Sequence, residues 1–340
     1  MSDKASFSSD QTKPQKSAGE MLTSDIPTLS NNTNNNTTDE SAVHNTDTDT
    51  LPEYNDRVIY ELKPTGRKHT PLLDNYNMNG PKRGHAVIIN NESFHWTTGM
   101  NKRVGTDVDA QNLKRTFTKL GFKVHKHKDT SCIDLLEILQ DMAAKDHTGS
   151  DCFVCAILSH GDDGCVYGTD GIIKIRKLVD MFRGDICPSL AGKPKIFIFQ
   201  ACRGTKHEIP VPPAQDVVDG PMADEDDEFH TVVVDSGPTP TLPSASDFLF
   251  CYSVAEGYYS HRDTLYGSWY VQDFTSVMNS LVFKEGSESV DFLDVLTAVH
   301  RRVSERRVER TMSQSALGKK QMPCFLSMLT KKLYFSKKAK

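Results

Sequence analysis

Three short apolar runs limit what this chain can fold into. They are His85-Ala86-Val87-Ile88-Ile89-Asn90, Phe153-Val154-Cys155-Ala156-Ile157-Leu158 and Ile196-Phe197-Ile198-Phe199. Each is strand-sized and apolar at consecutive positions, so each belongs to a strand covered on both faces. Helix-like segments alternate with them. Thr106 or Asp107 can cap a helix carrying Leu113, Phe117 and Leu120, closed by Gly121. The stretch from Ser131 to Lys145 puts Ile133, Leu136, Leu139 and Met142 on one face, and a third helix covers Lys174 to Phe182. Further strands are expected at Phe122 to His125, at Phe248 to Tyr252 and near Phe325 to Tyr334. Two more helices are expected, from Gly267 to Leu281 and from Phe292 to about Val308. Alternating strands and helices define an α/β fold with a mostly parallel central sheet of about six strands and helices on both faces.

In such sheets, sites form where strands exit at their carboxyl ends. The second run ends on Ser159-His160-Gly161 and the third on Gln200-Ala201-Cys202-Arg203-Gly204. A free thiol is only a few per cent ionised at neutral pH, so a nucleophilic cysteine needs a nearby base. His160 can take the proton of Cys202 and return it to a leaving amine. The N–H groups of Gly161 and Cys202 can together hold a developing oxyanion. Attack on an amide carbonyl is the reaction this pair suits.

Other features narrow the class. The chain has 340 residues and a net charge of -5, so the total indicates no polyanion binding and no nucleic-acid partner. No apolar stretch reaches membrane-spanning length, and the polar N-terminus lacks a signal-peptide core. A cytoplasmic setting is expected, in which the eight cysteines are thiols rather than a disulfide framework. No metal or other cofactor is expected. A zinc site on Cys152, Cys155 and His160 is disfavoured, because residues three apart on a strand point to opposite faces.

Residues 1–60 are rich in Ser, Thr, Asn and Asp and read as a disordered extension. Between Lys206 and Arg262 there is no Lys or Arg, and Asp224-Glu225-Asp226-Asp227-Glu228 forms an acidic run. A loop this long inside a compact domain is functional or disordered.

Gln200-Ala201-Cys202-Arg203-Gly204, with His160 upstream, resembles the caspase signature. Arg103-Val104-Gly105-Thr106-Asp107, Tyr258-Tyr259-Ser260-His261-Arg262, Gly267-Ser268-Trp269 and Gln321-Met322-Pro323-Cys324 extend the likeness in family order. The resemblance is to the executioner branch. It implies an endopeptidase that cleaves after aspartate, with Cys202 as nucleophile, His160 as acid and base, and the Asn101 carbonyl orienting the imidazole. By the same resemblance Arg103, Gln200 and Arg262 hold the substrate aspartate, while Tyr259, Ser260, His261 and Trp269 line the neighbouring subsites. Two guanidinium forks and an amide suit a carboxylate, and arginine offers a bidentate geometry that lysine lacks. His261 stands where the branch commonly has tryptophan. Asp263 stands where it often has asparagine, and a carboxylate there would repel an acidic substrate side chain. Arg310, in the loop from Val308 to Lys319, is a candidate source of positive charge instead.

The resemblance also implies a zymogen cut at Asp219 and Asp235, with further cuts possible at Asp47, Asp49 or Asp56. The expected parts are a prodomain (1–60), a large subunit (61–219), an acidic linker (220–235) and a small subunit (236–340). A homodimer through the final strand near Leu326, an initiator caspase that makes the cuts, and protein inhibitors are the implied partners. The readings that compete with this one are a catalytically weak or inactive caspase-like regulatory or binding protein, and a metacaspase or paracaspase cutting after Arg or Lys. Arg103 and Arg262 argue against the acidic pocket that such a cutter requires.

Overall fold

A computed structural model describes residues 73–204, 206–210, 243–284, 289–309, 311 and 314–336, all within the unit Gly66–Lys340. In chain order its elements are β1 (His85–Asn90), α1 (Thr106–Lys119), β2 (Lys123–Lys128), α2 (Cys132–Ala143), β3 (Phe153–Leu158), β4 (Gly161–Asp162), β5 (Cys165–Tyr167), β6 (Ile172–Lys174), α3 (Ile175–Val179), β7 (Lys195–Gln200), β8 (Phe248–Tyr252), β9 (Arg262–Asp263), β10 (Gly267–Ser268), α4 (Trp269–Leu281), α5 (Phe292–Glu305) and β11 (Cys324–Ser327).

Six strands form the main sheet in the order β11-β8-β7-β3-β1-β2. All neighbours are parallel except β11, which runs antiparallel to β8 at one edge. The expected sheet is therefore present, with one reversed edge strand. The two-residue period of a strand divides its apolar side chains between two cores. Ala86, Ile88, Val154, Ala156, Ile196 and Ile198 face α1, α4 and α5, with Leu113, Phe117, Phe274 and Val299 packed on them. Val87, Ile89, Phe153, Ile157, Phe197 and Phe199 face α2 and α3, with Leu135, Leu139 and Leu178. On that second face Phe153 stacks on Phe182 at 4.3 Å, a contact worth about 0.5–1.5 kcal/mol beyond the area it buries. Cys152 lies in the first core and Cys155 in the second, so the two thiols do not converge. Among the described residues no group of three His, Cys, Asp or Glu side chains is placed to hold a metal ion. None of the described helices is long and apolar enough to cross a membrane.

The sequence reading placed several boundaries differently. The residue capping α1 is Gly105, whereas Asp107 lies inside the helix and bonds Asn90 and Lys128. Ser131 caps α2 in a reciprocal pair with Asp134. The buried face of α2 is Leu135, Leu139 and Met142; Ile133 is 64% exposed. Both stripes have helical spacing, and the register against β1 and β3 selects between them. Helix α5 ends at Glu305, and the last strand stops at Ser327, short of Tyr334.

Candidate active site

Strands β3 and β7 are parallel neighbours, with Leu158 paired to Gln200. His160 and Cys202 each lie two residues beyond that pair, at the same end of the sheet. Several bonds hold these exits. Ser159 N–H donates to Gln200 O at 3.2 Å, and Ser159 Oγ donates to Tyr167 O at 2.6 Å. Tyr167 N–H donates to the carbonyl of His160, and Ser253 Oγ donates to that of Ala201. Gly161 touches the Cys202 loop directly. A Cβ there would lie 2.8 Å from both the Ala201 Cβ and the Cys202 carbonyl oxygen, so only glycine allows the two exits to come this close.

His160 Nε2–H donates to the Asn101 carbonyl at 2.7 Å, the contact expected from the family likeness. The Phe94 ring packs on the imidazole at 4.9 Å. This tautomer leaves Nδ1 as the free base. Burial pushes the His160 pKa below its ordinary value, and the fields of Arg103 and Arg262 add to the effect, while the Asn101 carbonyl opposes it. The Cys202 thiol is pushed up by burial. The Ser260 N–H, which donates to Sγ at 3.5 Å, and the two arginines oppose that rise. Burial thus disfavours the charged form of both groups.

The arginines reach this end from distant segments. Arg103 is 1% exposed and donates to Asn91 O at 2.9 Å and Thr106 Oγ1 at 2.8 Å. Burial, and secondarily Arg262, lower its pKa to about 9, which leaves it cationic at neutral pH. Arg262, on β9, donates from Nε to Val104 O at 3.0 Å. Gln200 is buried and donates from Nε2 to Ser260 Oγ at 2.7 Å, while its Oε1 has no hydrogen-bond partner among the described residues. A buried and a half-buried cation with a carboxamide, grouped near a thiol, suit a carboxylate-bearing residue next to the bond under attack.

Beyond Cys202 an aromatic wall continues the site. The His261 ring lies 4.8 Å from Trp269 and stacks on His207 at 6.2 Å, and His207 packs on Tyr259 at 4.7 Å. The His261 backbone is held by Gln321 Oε1 at 2.6 Å. A groove of about 450 Å³ runs past His261, Arg262, Asp263 and Trp269 to Arg307 and Glu309. Asp263 Oδ1 accepts from the N–H groups of Leu265 and Tyr266 at 2.7 and 2.9 Å, so the β9–β10 turn sets where its carboxylate lies. Arg310, Asp219, Asp235, Asp47, Asp49, Asp56 and residues 1–60 lie outside the described residues.

Sequence reasoning missed His207, Arg307 and Asp109. His207 sits in a stretch without periodicity, and nothing in the sequence marks it. Arg307 lies just before the loop from Val308 to Lys319, and nothing in the sequence marks it. Asp109 did leave a signal: it shares the buried stripe of α1 with Leu113 and Phe117, where a carboxylate is unexpected.

The fold and site together define a cysteine endopeptidase built on a parallel sheet, with a pocket for an acidic side chain. Residues 83–334 match the caspase domain family of peptidases. The chain is 47% identical to caspase-6 of Bos taurus over 78% of its length and 88% of that protein. It is 40% identical to caspase-3 of Mus musculus, over 78% of this chain and 88% of the relative. It is also 41% identical to caspase-7 of Gallus gallus, over 78% and 81%. The chain belongs to the caspase family. It is an aspartate-specific cysteine endopeptidase of the apoptotic, executioner type. The reading as an inactive binding protein is not favoured, since the chain keeps both the cysteine and the histidine.

Proposed function

We propose that Cys202 is the nucleophile, His160 the acid and base, and the N–H groups of Gly161 and Cys202 the oxyanion site. His160 Nδ1 takes the thiol proton as Sγ bonds to the substrate carbonyl carbon. The tetrahedral oxyanion collapses, the C–N bond breaks, and the imidazolium protonates the departing amine. Water then attacks the thioester with His160 again as base, releasing the acid and the thiol. The observation that carries this reading is the 2.7 Å bond from His160 to the Asn101 carbonyl, which fixes the tautomer that can accept a proton.

Arg103, Gln200 and Arg262 hold the aspartate, and Tyr259, Ser260, His261 and Trp269 carry the residues before it. Arg307 lines the far end of the groove, so it is Arg307 that faces the outermost of these residues. Processing at Asp219 and Asp235 would separate a large subunit (61–219) and a small subunit (236–340) from the prodomain (1–60) and linker (220–235). Two such halves would meet through β11, whose outer edge is unpaired among the described residues and where Leu326 is 55% exposed. A cytoplasmic enzyme cut by an initiator caspase and checked by protein inhibitors completes the proposal. Positional scanning with fluorogenic peptides, using wild type and Cys202→Ala, tests it. Release after aspartate by wild type alone is expected, and equal signal from both proteins would sink the assignment.

A further inference from the structure

The arginine pocket has a partner that the reaction does not use. Asp109 is fully buried on α1, and both of its carboxylate oxygens are directed at one residue of another element. Its Oδ1 accepts the Ser268 N–H at 2.8 Å, and its Oδ2 accepts the Ser268 hydroxyl at 2.6 Å. Ser268 is the cross-strand partner of Arg262 in the β9–β10 pair. Gly267, beside it, has φ +89, and a Cβ there would lie 2.3 Å from Asp109 Oδ1. Helix and hairpin are thus pressed together at a point where no side chain fits. Asp109 lies in the first turn of α1, which follows directly on the loop carrying Arg103, and Arg262 bonds the Val104 carbonyl of that loop. The two halves of the pocket, one on each side of the 211–242 segment, are therefore joined by Asp109–Ser268 and by Arg262–Val104.

We propose that Asp109 is a positioning residue for aspartate recognition: by holding Ser268 with two hydrogen bonds it fixes Arg262 beside Arg103. Two cations held close together repel. Arg262 is on a two-residue strand whose own ladder is too short to resist that repulsion. The buried carboxylate supplies the fastening through its two hydrogen bonds to Ser268. Its own pKa is raised to about 6 by burial, against the lowering pull of Ser268, Arg103 and Arg262. The proposal rests on the reading of Arg103 and Arg262 as the aspartate pocket.

The test uses the full-length active enzyme, with its concentration set by active-site titration. Ser268→Ala removes only the hydroxyl bond, and KM for an aspartate peptide is expected to rise about three- to tenfold with kcat within about twofold. Asp109→Ala removes both bonds, and its KM is expected to rise more than about thirtyfold. Asp109→Asn keeps an acceptor for the Ser268 N–H and can donate to the Ser268 hydroxyl, so its KM returns to within about threefold of wild type. A purely structural role would lower the titrated fraction and Tm but leave the KM of the surviving enzyme unchanged, and that result overturns the proposal. An Asp109→Asn enzyme as impaired as Asp109→Ala also overturns it. If Asp109→Ala does not fold, Ser268→Ala decides alone, and an unchanged KM there is a refutation. Arg262→Ala separates the two readings: if it leaves aspartate KM unchanged the pocket assignment itself is wrong, whereas a large rise with a silent Ser268→Ala means only the role of Asp109 is.

Discussion

The cysteine–histidine end of the site and the arginine pocket beside it are built in opposite ways. His160 and Cys202 leave adjacent parallel strands, and one register relation, Leu158 to Gln200, places both. Tyr167 and Gly161 brace these exits from close by, while Asn101 and Ser260, from the same remote segments that carry the pocket, bond His160 and Cys202. The pocket instead joins the loop before α1, the end of β7 and the β9–β10 hairpin, elements far apart in the chain. No single strand pairing aligns Arg103 with Arg262. Side-chain bonds to backbone carbonyls, the Asp109–Ser268 pair and glycine-tight contacts do that. The proposed chemistry thus rests on one strand register, and the proposed selectivity on contacts that can be adjusted one at a time.

Four outcomes would break or sharpen this contrast. The largest belongs to the strand exits. Cys202→Ala should reduce kcat/KM by at least about 10⁴-fold with unchanged Tm, measured on an aspartate peptide and by thermal melt. A residual rate near wild type would remove the catalytic half of the comparison. Arg262→Lys keeps the charge but loses the fork, and should raise KM for aspartate peptides by about 10- to 100-fold, since bidentate carboxylate recognition is lost while kcat changes little. A fall in kcat with constant KM would mean that Arg262 serves the thiol instead. Gly161→Ala puts a methyl group 2.8 Å from the Cys202 carbonyl and should lower kcat about tenfold or more, with a smaller effect on KM. Equal losses in both constants would show that the exits and the pocket move as one body.

The smallest effect lies away from both regions. At the start of β1, His85 Nδ1 lies 2.9 Å from His125 Nε2, and the His147 ring approaches at 5.7 Å. Burial first, then His125, His147, Lys123 and Lys145, lower the His85 pKa to about 4. A histidine kept neutral in the fold binds protons only when unfolded between its ordinary value and that lowered one. Stability should therefore be full above about pH 6.5 and decline as pH falls toward about 4. His85→Gln should shrink the drop in Tm between pH 7.5 and pH 5. An unchanged drop would assign the acid sensitivity to other groups.

Much of the fold was legible because buried parallel strands are continuous apolar runs and the helices between them repeat at 3.6 residues. Boundaries were less legible. Thr106 and Asp107 are good capping residues, yet Gly105 occupies that position because Thr106 and Asp107 are needed inside α1 to bond Asn90. On α2, Ile133 and Leu135 compete for the same core, and only the packing against β1 and β3 turns Leu135 inward. In the site, His160 and Cys202 were legible from their positions at strand ends. Arg103 and Arg262 were assigned through family likeness rather than spacing. His207, which stacks on His261, carried no sequence signal, because ring stacking between remote segments leaves no periodic trace.

The sequence by itself determined the α/β class and the family and pointed to a thiol–imidazole pair, because strand runs and the residues at their exits are local patterns. Only the tertiary structure decided that the His160 Nε2–H is held by Asn101, that the Cys202 thiol is raised rather than lowered, and that Asp109 joins α1 to the hairpin carrying Arg262. Those outcomes depend on burial and on contacts between remote segments, and neither exists until the chain has closed on itself.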